Sequence, residues 1–447
     1  MKNRLLKNNF EKVFNYLLQN DFKKIKIIYI IKEKHVNTVT AEKIKRNTIY
    51  EEGFSVNFNY NNQPYFIALD NYDYNIIKKR IDELVKIEKR NRINECFHIN
   101  EDFFEVKERE FDTFDDDKYQ NELIEFNNKK DLKTNIILLF ERKKTFILSQ
   151  EKNVYKEELN YKIDIIMNAV INNNSKFNYA SFASSNSIKR LRRINIENEL
   201  SRLYSTIMKM KSLNHINEKR DVVISNGIGG IIIHESCGHA LESREIIKKS
   251  SILNDITNVN NLNINMTDNP TIRDEFGSFN IDDEGNCSNT IKLIDKGNIK
   301  NYLCDEKGSC FNNDAGSGRR ESYYYPISSR MSNTYLESGN NSFNDIISSI
   351  EDGFYIKNIL GGVVDTISGN FSFNCLESYK IVHGIIDYSI CYDNLTIVGN
   401  TLDILNNIEK VGNDLSLSPG ICGSESGFIY TTVGGPTIKI KDILVVS

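Results

Sequence analysis

Two of the six histidines in this chain stand five residues apart, in Ile231-Ile-Ile-His234-Glu235-Ser-Cys-Gly-His239-Ala-Leu-Glu242, and a carboxylate directly follows the first. Imidazole nitrogens are good ligands for zinc, and a carboxylate beside one can move a proton. In the H-E-x-x-H pattern of zinc peptidases the i, i+4 spacing stacks both rings on one helix face. Here the spacing is i, i+5, which sets the two side chains about 140° apart on an ideal helix. An undistorted helix cannot aim both rings at one ion. A widened, π-type turn can, and Gly238 stands where such a bulge is tolerated. The plainer alternative is two histidines on a helix surface or satisfied within a core.

Zinc with two imidazoles needs a third protein ligand and an open position. Cys422 is the favoured candidate, because a cysteine in the tight glycine-flanked turn Ser418-Pro-Gly-Ile-Cys-Gly-Ser424 is poorly explained as core packing. Cys237 lies between the two histidines, is expected to point elsewhere on the helix, and remains the other candidate. Glu242, three residues after His239, either orients that imidazole or is a helix-surface carboxylate.

These residues need a scaffold. A strand over Asp221–Ser225 and the turn Asn226-Gly-Ile-Gly-Gly lead into the histidine helix. Before it, apolar spacing predicts an amphipathic helix over Lys2–Gln19 and a second over Asp73–Glu88. Strands are predicted over Lys26–Ile31, Glu51–Tyr60, Pro64–Leu69, Asn135–Leu148 and Tyr161–Val170. The charge-dense stretch 99–132 reads as solvated loop and helix. A long helix is predicted over Ser187–Ser212, with Lys189-Arg-Leu-Arg-Arg as its wet face. After His215 glycine becomes frequent and the apolar runs shorten. The expected architecture is therefore α+β in two domains, an α+β domain over 1–215 and a β-rich domain over 216–447 carrying the histidine helix.

Composition excludes several classes. Lys+Arg number 57 and Asp+Glu 61, a net charge of −4, which gives no electrostatic basis for binding nucleic acid or an anionic membrane. No apolar run approaches the roughly 18 residues of a membrane span. Asn8 and Asn9 interrupt the basic N-terminus before a signal-like apolar stretch can form. The eight cysteines include no CxxC pair, and in a large chain of this kind a disulfide framework is not expected. A cytoplasmic location is the expectation.

With those residues in view, the chain resembles the TldD/PmbA family, and within it the TldD branch of H-E-x-x-x-H metalloproteases. His234-Glu235-Ser-Cys-Gly-His239-Ala-Leu-Glu is similar to the family's metal helix. Gly277-Ser-Phe-Asn-Ile-Asp-Asp-Glu-Gly285, Gly316-Ser-Gly-Arg319-Arg320 and Arg330-Met-Ser-Asn-Thr-Tyr335 resemble further blocks in the family's order. So do Gly361-Gly-Val-Val-Asp365, Ser368-Gly-Asn-Phe-Ser-Phe373, Val411-Gly-Asn-Asp414, Pro419-Gly-Ile-Cys422-Gly and Gly435-Pro-Thr437. Ser424 and Ser426 depart from the family, where a Lys and a Gln usually follow the cysteine turn. The resemblance implies that His234, His239 and Cys422 hold a metal, that Glu235 is the catalytic base, and that a non-catalytic PmbA (TldE) homologue or a second copy is the dimer partner.

The expected activity is zinc-dependent hydrolysis of peptide bonds in short or unfolded peptides, with Glu235 taking a proton from water and returning it to the leaving amine. A thiolate ligand makes the metal a weaker Lewis acid than three imidazoles would, so slow and selective turnover is expected. Arg319 and Arg320 are candidates to hold a peptide carboxylate or a developing oxyanion; the alternative is pairing with Asp282, Asp283 or Glu284. Gly361 and Gly362 are where a substrate backbone could approach closely, adding as a strand. The contrasting readings are a scaffold subunit that keeps a metal for stability, and a hydrolase of non-peptide amides.

Overall fold

The computed structural model describes residues 2–85, 97–100, 103–106, 110–129, 132–171, 173–309 and 315–447. Cys96, Cys310 and the last residues of the predicted 73–88 helix lie outside them, as does part of the 99–132 stretch. The chain is α+β.

The first half is organised by one six-stranded antiparallel sheet, in the order β3-β2-β1-β4-β5-β6. Its strands are β1 (Lys23–Val39), β2 (Ile44–Tyr60), β3 (Gln63–Leu69), β4 (Lys133–Ser149), β5 (Asn153–Ile171) and β6 (Asn174–Ser185). The alternation in β2 places Phe54, Val56, Phe58 and Tyr60 inward. Helix α1 (Lys2–Gln19) covers that face with Leu6, Phe10, Val13, Phe14, Leu17 and Leu18, helped by α2 (Tyr74–Leu84) through Ile77 and Ile81. Each such side chain contributes about 1.5–3 kcal/mol by leaving water.

Several strands run further than their apolar cores predict. β1 continues through Lys32-Glu-Lys-His35 because it is paired on both edges, to β2 and β4. Buried Lys32 is compensated there by Glu51, Glu141 and Glu321 at 3.8–4.0 Å. The 99–132 stretch is not simply solvated. Helix α3 (Asp116–Lys129) packs Tyr119, Leu123 and Phe126 into a core, and Phe111 and Phe114 join it.

The predicted 187–212 helix is also corrected. Only Ile196–Ile207 (α4) is α-helical; a short 3-10 turn, Leu191–Arg193, precedes it and strand pairing resumes at Met210. Asn195 is the reason, since its extended backbone and its side chain, accepting from the Asn198 N–H, start a helix there. The basic run is thus not one helix face; Arg190 pairs with Glu275 and Arg192 with Asp112.

Among the described residues the second half holds two large sheets and a two-stranded one pairing 318–319 with 328–329. One has eight strands in the order 352–364, 217–224, 438–446, 396–400, 370–382, 385–392 and 210–211, with 408–411 pairing to 438–446. The other has six, in the order 298–299, 291–295, 266–268, 333–336, 427–435 and 416–424, so that Ser416–Ser424 is an edge strand. The histidine segment is packed between these sheets, in a core with Val222, Ile224, Met331, Phe373 and Ile429.

The halves are bound together. Ile163, Leu200 and Leu203 share a core with Val223, Tyr355, Tyr379 and Ile381. Buried Asp283 is paired with Lys143 at 3.2 Å and Lys156 at 2.7 Å. Burial alone would raise its pKa, but the two lysines hold its carboxyl well below the usual range.

Candidate metal centre

The approach to the site is set by close packing. Strand Asn217–Ile224 ends in the glycine turn, and a Cβ on Gly230 would stand 2.4 Å from the Gly434 carbonyl oxygen. Only glycine lets the helix start that close to strand Gly427–Gly435. One α-helical turn, Gly230–Ile233, is followed by a π turn over His234–Gly238 and a 3-10 turn over His239–Leu241. The defining bond of the wide turn is the His239 N–H donating to the His234 carbonyl. Gly238 is needed for space, because a Cβ there would stand 2.1 Å from Met331 Sδ. The carbonyls of Ser236 and Ala240 are taken by the hydroxyls of Thr401 and Ser251, at 2.9 and 2.7 Å.

The widened turn brings both imidazoles to one thiol. His234 Nε2 is 3.3 Å and His239 Nε2 3.2 Å from Cys422 Sγ, and all three side chains are buried. The donor atoms lie within 4.8 Å of one another, the sole such group among the described residues. Tetrahedral zinc, with bonds of about 2.3 Å to sulfur and 2.0–2.1 Å to nitrogen, separates S and N by about 3.6 Å. The donor set and its spacing therefore fit zinc. Cys422 is not in a turn but within strand Ser416–Ser424, paired with Ile429, and the hairpin turns just beyond it. Cys237 points the other way, into the core, where burial pushes its thiol up to about 12.

The electrostatics are those of an imidazolium–thiolate pair. Burial works against ionisation of Cys422, yet His239 and His234 hold its thiol well below the usual value. Burial likewise disfavours the charged form of His239, but Cys422 and Glu242 raise its pKa well above normal. Glu242 is the orienting carboxylate rather than a surface group. It is fully buried, 3.2 Å from His239 Nδ1, and held on its other oxygen by Arg244 Nε at 3.0 Å. His234 Nδ1 is buried with no partner among the described residues.

A consequence for pH follows. Zinc takes neutral imidazole and thiolate; with the Cys422 thiol held low and the His239 imidazole held high, the proton to be displaced is expected to be the one on His239. Zinc affinity is expected to rise about tenfold per pH unit up to the raised pKa of His239, with about one proton released. Calorimetric titration of metal-free protein in buffers of different ionisation enthalpy counts that proton, and a count of zero would refute the ion-pair description.

Glu235 is the open member of the group. Its carboxylate lies 3.6 Å from His239 Nε2 and lines a cavity of about 1080 Å³. His234, Ile228, Ile231, Gly361, Gly362 and the edge-strand residues Ser416–Ile421 line the same cavity. The structure thus brings Gly361 and Gly362 to the metal group, but not Arg319 and Arg320. Arg319 donates to the carbonyls of Met331 and Tyr430, both at 2.8 Å. Arg320 is buried, donates from Nη1 to Ser55 Oγ at 2.8 Å, and donates its backbone N–H to Asp283 Oδ2 at 2.8 Å. The hydrogen bonds of both guanidinium groups go to carbonyls and a hydroxyl of the fold, not to the carboxylates of Asp282, Asp283 or Glu284, and Nε and Nη2 of Arg320 are buried with no hydrogen-bond partner among the described residues. The role of Thr401 was not legible in sequence, since nothing local marks a residue that caps a carbonyl 165 positions away.

Comparison with known proteins adds the following. Residues 217–447, just over half the chain, match the model of the PmbA/TldA metallopeptidase C-terminal domain. A metalloprotease TldD homologue of Buchnera aphidicola is 34% identical over 245 residues, 54% of this chain and 50% of that protein. A zinc metalloprotease TldD homologue of Saccharolobus solfataricus is 29% identical over 227 residues, 50% of this chain and 51% of that one. The matches thus span about half the length of these curated relatives. Among solved structures, TldE from Thermococcus kodakarensis superposes with a TM-score of 0.73 at 15% identity, covering 99% of this chain and 100% of that one. A Thermotoga maritima protein described as a modulator of a DNA gyrase gives 0.72 at 17%, covering 98% and 99%. At such identities the likeness concerns the fold.

Proposed function

The chain belongs to the PmbA/TldD family of metallopeptidases, and we propose that it is a catalytic, TldD-like member: a zinc peptidase acting on short or unfolded peptides. The observation that carries this reading is the union of a buried His234–His239–Cys422 donor set with a carboxylate, Glu235, that stays open to a large cavity. A purely structural zinc site is more often closed by four protein ligands and needs no adjacent base.

A zinc ion held by these three residues supplies Lewis acidity that polarises a carbonyl and makes water easier to deprotonate. Glu235 accepts the proton from water and returns it to the leaving amine. Glu242, gripped by Arg244, fixes the ring of His239. The edge strand Ser416–Ser424 leaves one side of its backbone unpaired by its own sheet, so an extended peptide fits there as an added strand, with Gly361 and Gly362 across the cavity. A folded domain does not fit such a cleft. The working unit is a dimer, with a second copy or a PmbA/TldE-like homologue; no nucleic acid or membrane is involved.

The test is hydrolysis of an unstructured peptide by the full chain, alone and mixed with a PmbA-type homologue. Cleavage should vanish on chelation and return with one equivalent of zinc. Zinc bound at one per chain without cleavage in either mixture would favour the scaffold reading.

A further inference from the structure

Arg330 has no exposed surface, yet its guanidinium touches both parts of the chain that present metal-ligand candidates. Nη2 donates to the carbonyl of Cys422 itself at 2.8 Å. Nη1 donates to the Gly427 carbonyl at 3.1 Å and to Ser426 Oγ at 2.7 Å, across the hairpin turn. Nε faces Glu242 Oε1 at 3.7 Å, and that same oxygen lies 3.2 Å from His239 Nδ1. Nε of Arg330 and Oε1 of Glu242 are buried and have no hydrogen-bond partner among the described residues. One hydrogen bond and two ion-pair contacts therefore link the Cys422 backbone, through a guanidinium and a carboxylate, to the His239 ring.

Geometry explains why arginine stands here. A planar fork meets two carbonyls and a hydroxyl on one edge and a carboxylate on the other; an ammonium cannot hold four directions at once. The hairpin is also gripped at its tip, where Glu425 pairs with Lys248 at 2.8 Å and with Arg244 at 3.5 Å. Arg244 in turn holds Glu242, so the two arginines brace the same carboxylate from two sides.

We infer that Arg330 is a positioning residue of the metal centre, fixing the separation between Cys422 and the carboxylate that aims His239. This rests on the reading of His234, His239 and Cys422 as metal ligands. A guanidinium that merely pins a hairpin would act independently of Glu242; one that sets the ligand separation acts as a unit with it.

The experiment is a double-mutant cycle in zinc affinity, using wild type, Arg330→Lys, Glu242→Gln and the double variant, each titrated against a chromophoric chelator. The same proteins loaded with cobalt(II) report the thiolate-to-metal charge-transfer band. Loss of an orienting partner costs metal affinity about 10–100-fold. Each single variant should lose that much, the double variant should be no worse than the worse single one, and Arg330→Lys should weaken the cobalt–thiolate band. Unchanged affinity in Arg330→Lys, or losses that multiply in the double variant, would overturn the proposal. Should Arg330→Lys not fold, Ser426→Val takes its place in the cycle, since it removes one of the two acceptors of Nη1 and leaves the Gly427 carbonyl as the other; unchanged affinity there is equally fatal. Wild type that binds no zinc would remove the metal reading itself. Wild type that binds zinc but cleaves nothing would remove the peptidase reading alone and leave the cycle intact.

Discussion

Glu235→Gln is expected to keep zinc at wild-type occupancy and to slow peptide hydrolysis by about 10²–10⁴-fold, the usual contribution of a positioned general base. Glutamine preserves the size of the side chain but cannot take a proton from water. The carboxylate is not among the three atoms that converge on the metal position, so the donor set should survive its loss. It lies 3.6 Å from His239 Nε2 and faces the cavity, where a bound zinc ion would leave a position open for water. The check is kcat together with zinc content on one preparation. A rate within a few-fold of wild type would remove Glu235 from the mechanism, and loss of zinc with the rate would make it a ligand instead.

Cys422→Ser is expected to weaken zinc binding by more than the roughly 10–100-fold that loss of an orienting partner costs. Serine is close in volume, so the strand should still form, but its hydroxyl stays neutral where the thiol ionises beside His239 and His234. A ligand that binds only the native state stabilises it by about 2.7 kcal/mol at a hundredfold excess over its dissociation constant. Thermal unfolding of wild type should therefore rise with added zinc while that of Cys422→Ser stays flat. Full zinc retention by the variant would exclude Cys422, and Cys237, the other candidate, would then have to leave its place in the core.

The metal group was more legible in sequence than most of the scaffold, for a physical reason. The i, i+5 spacing of His234 and His239 with Gly238 between them admits few helical geometries, and the π turn is the one observed. Helix α1 and the inward face of β2 were legible because burial there follows a clean period. The polar end of β1 was not, since its stability comes from pairing on both edges rather than from apolar side chains. The 187–212 helix failed because apolar spacing continues through Asn195 while the backbone restarts there. Arg319 and Arg320 stayed open in sequence because an arginine's type does not reveal whether its partner is a ligand or the fold's own carbonyls and hydroxyls.

Cys422 stands 183 positions beyond His239, on the other arm of the group. A growing chain that has not yet reached that strand carries only two imidazoles, too few donors to retain an ion firmly. Bridging the two points closes a very long loop, which in a chain-entropy account removes on the order of 5 kcal/mol of freedom from the unfolded ensemble. Such distant pairings form late in folding. Ion capture is thus tied to synthesis of the Ser416–Ser424 strand, and a metal centre built in this way stays unarmed until that strand has been made.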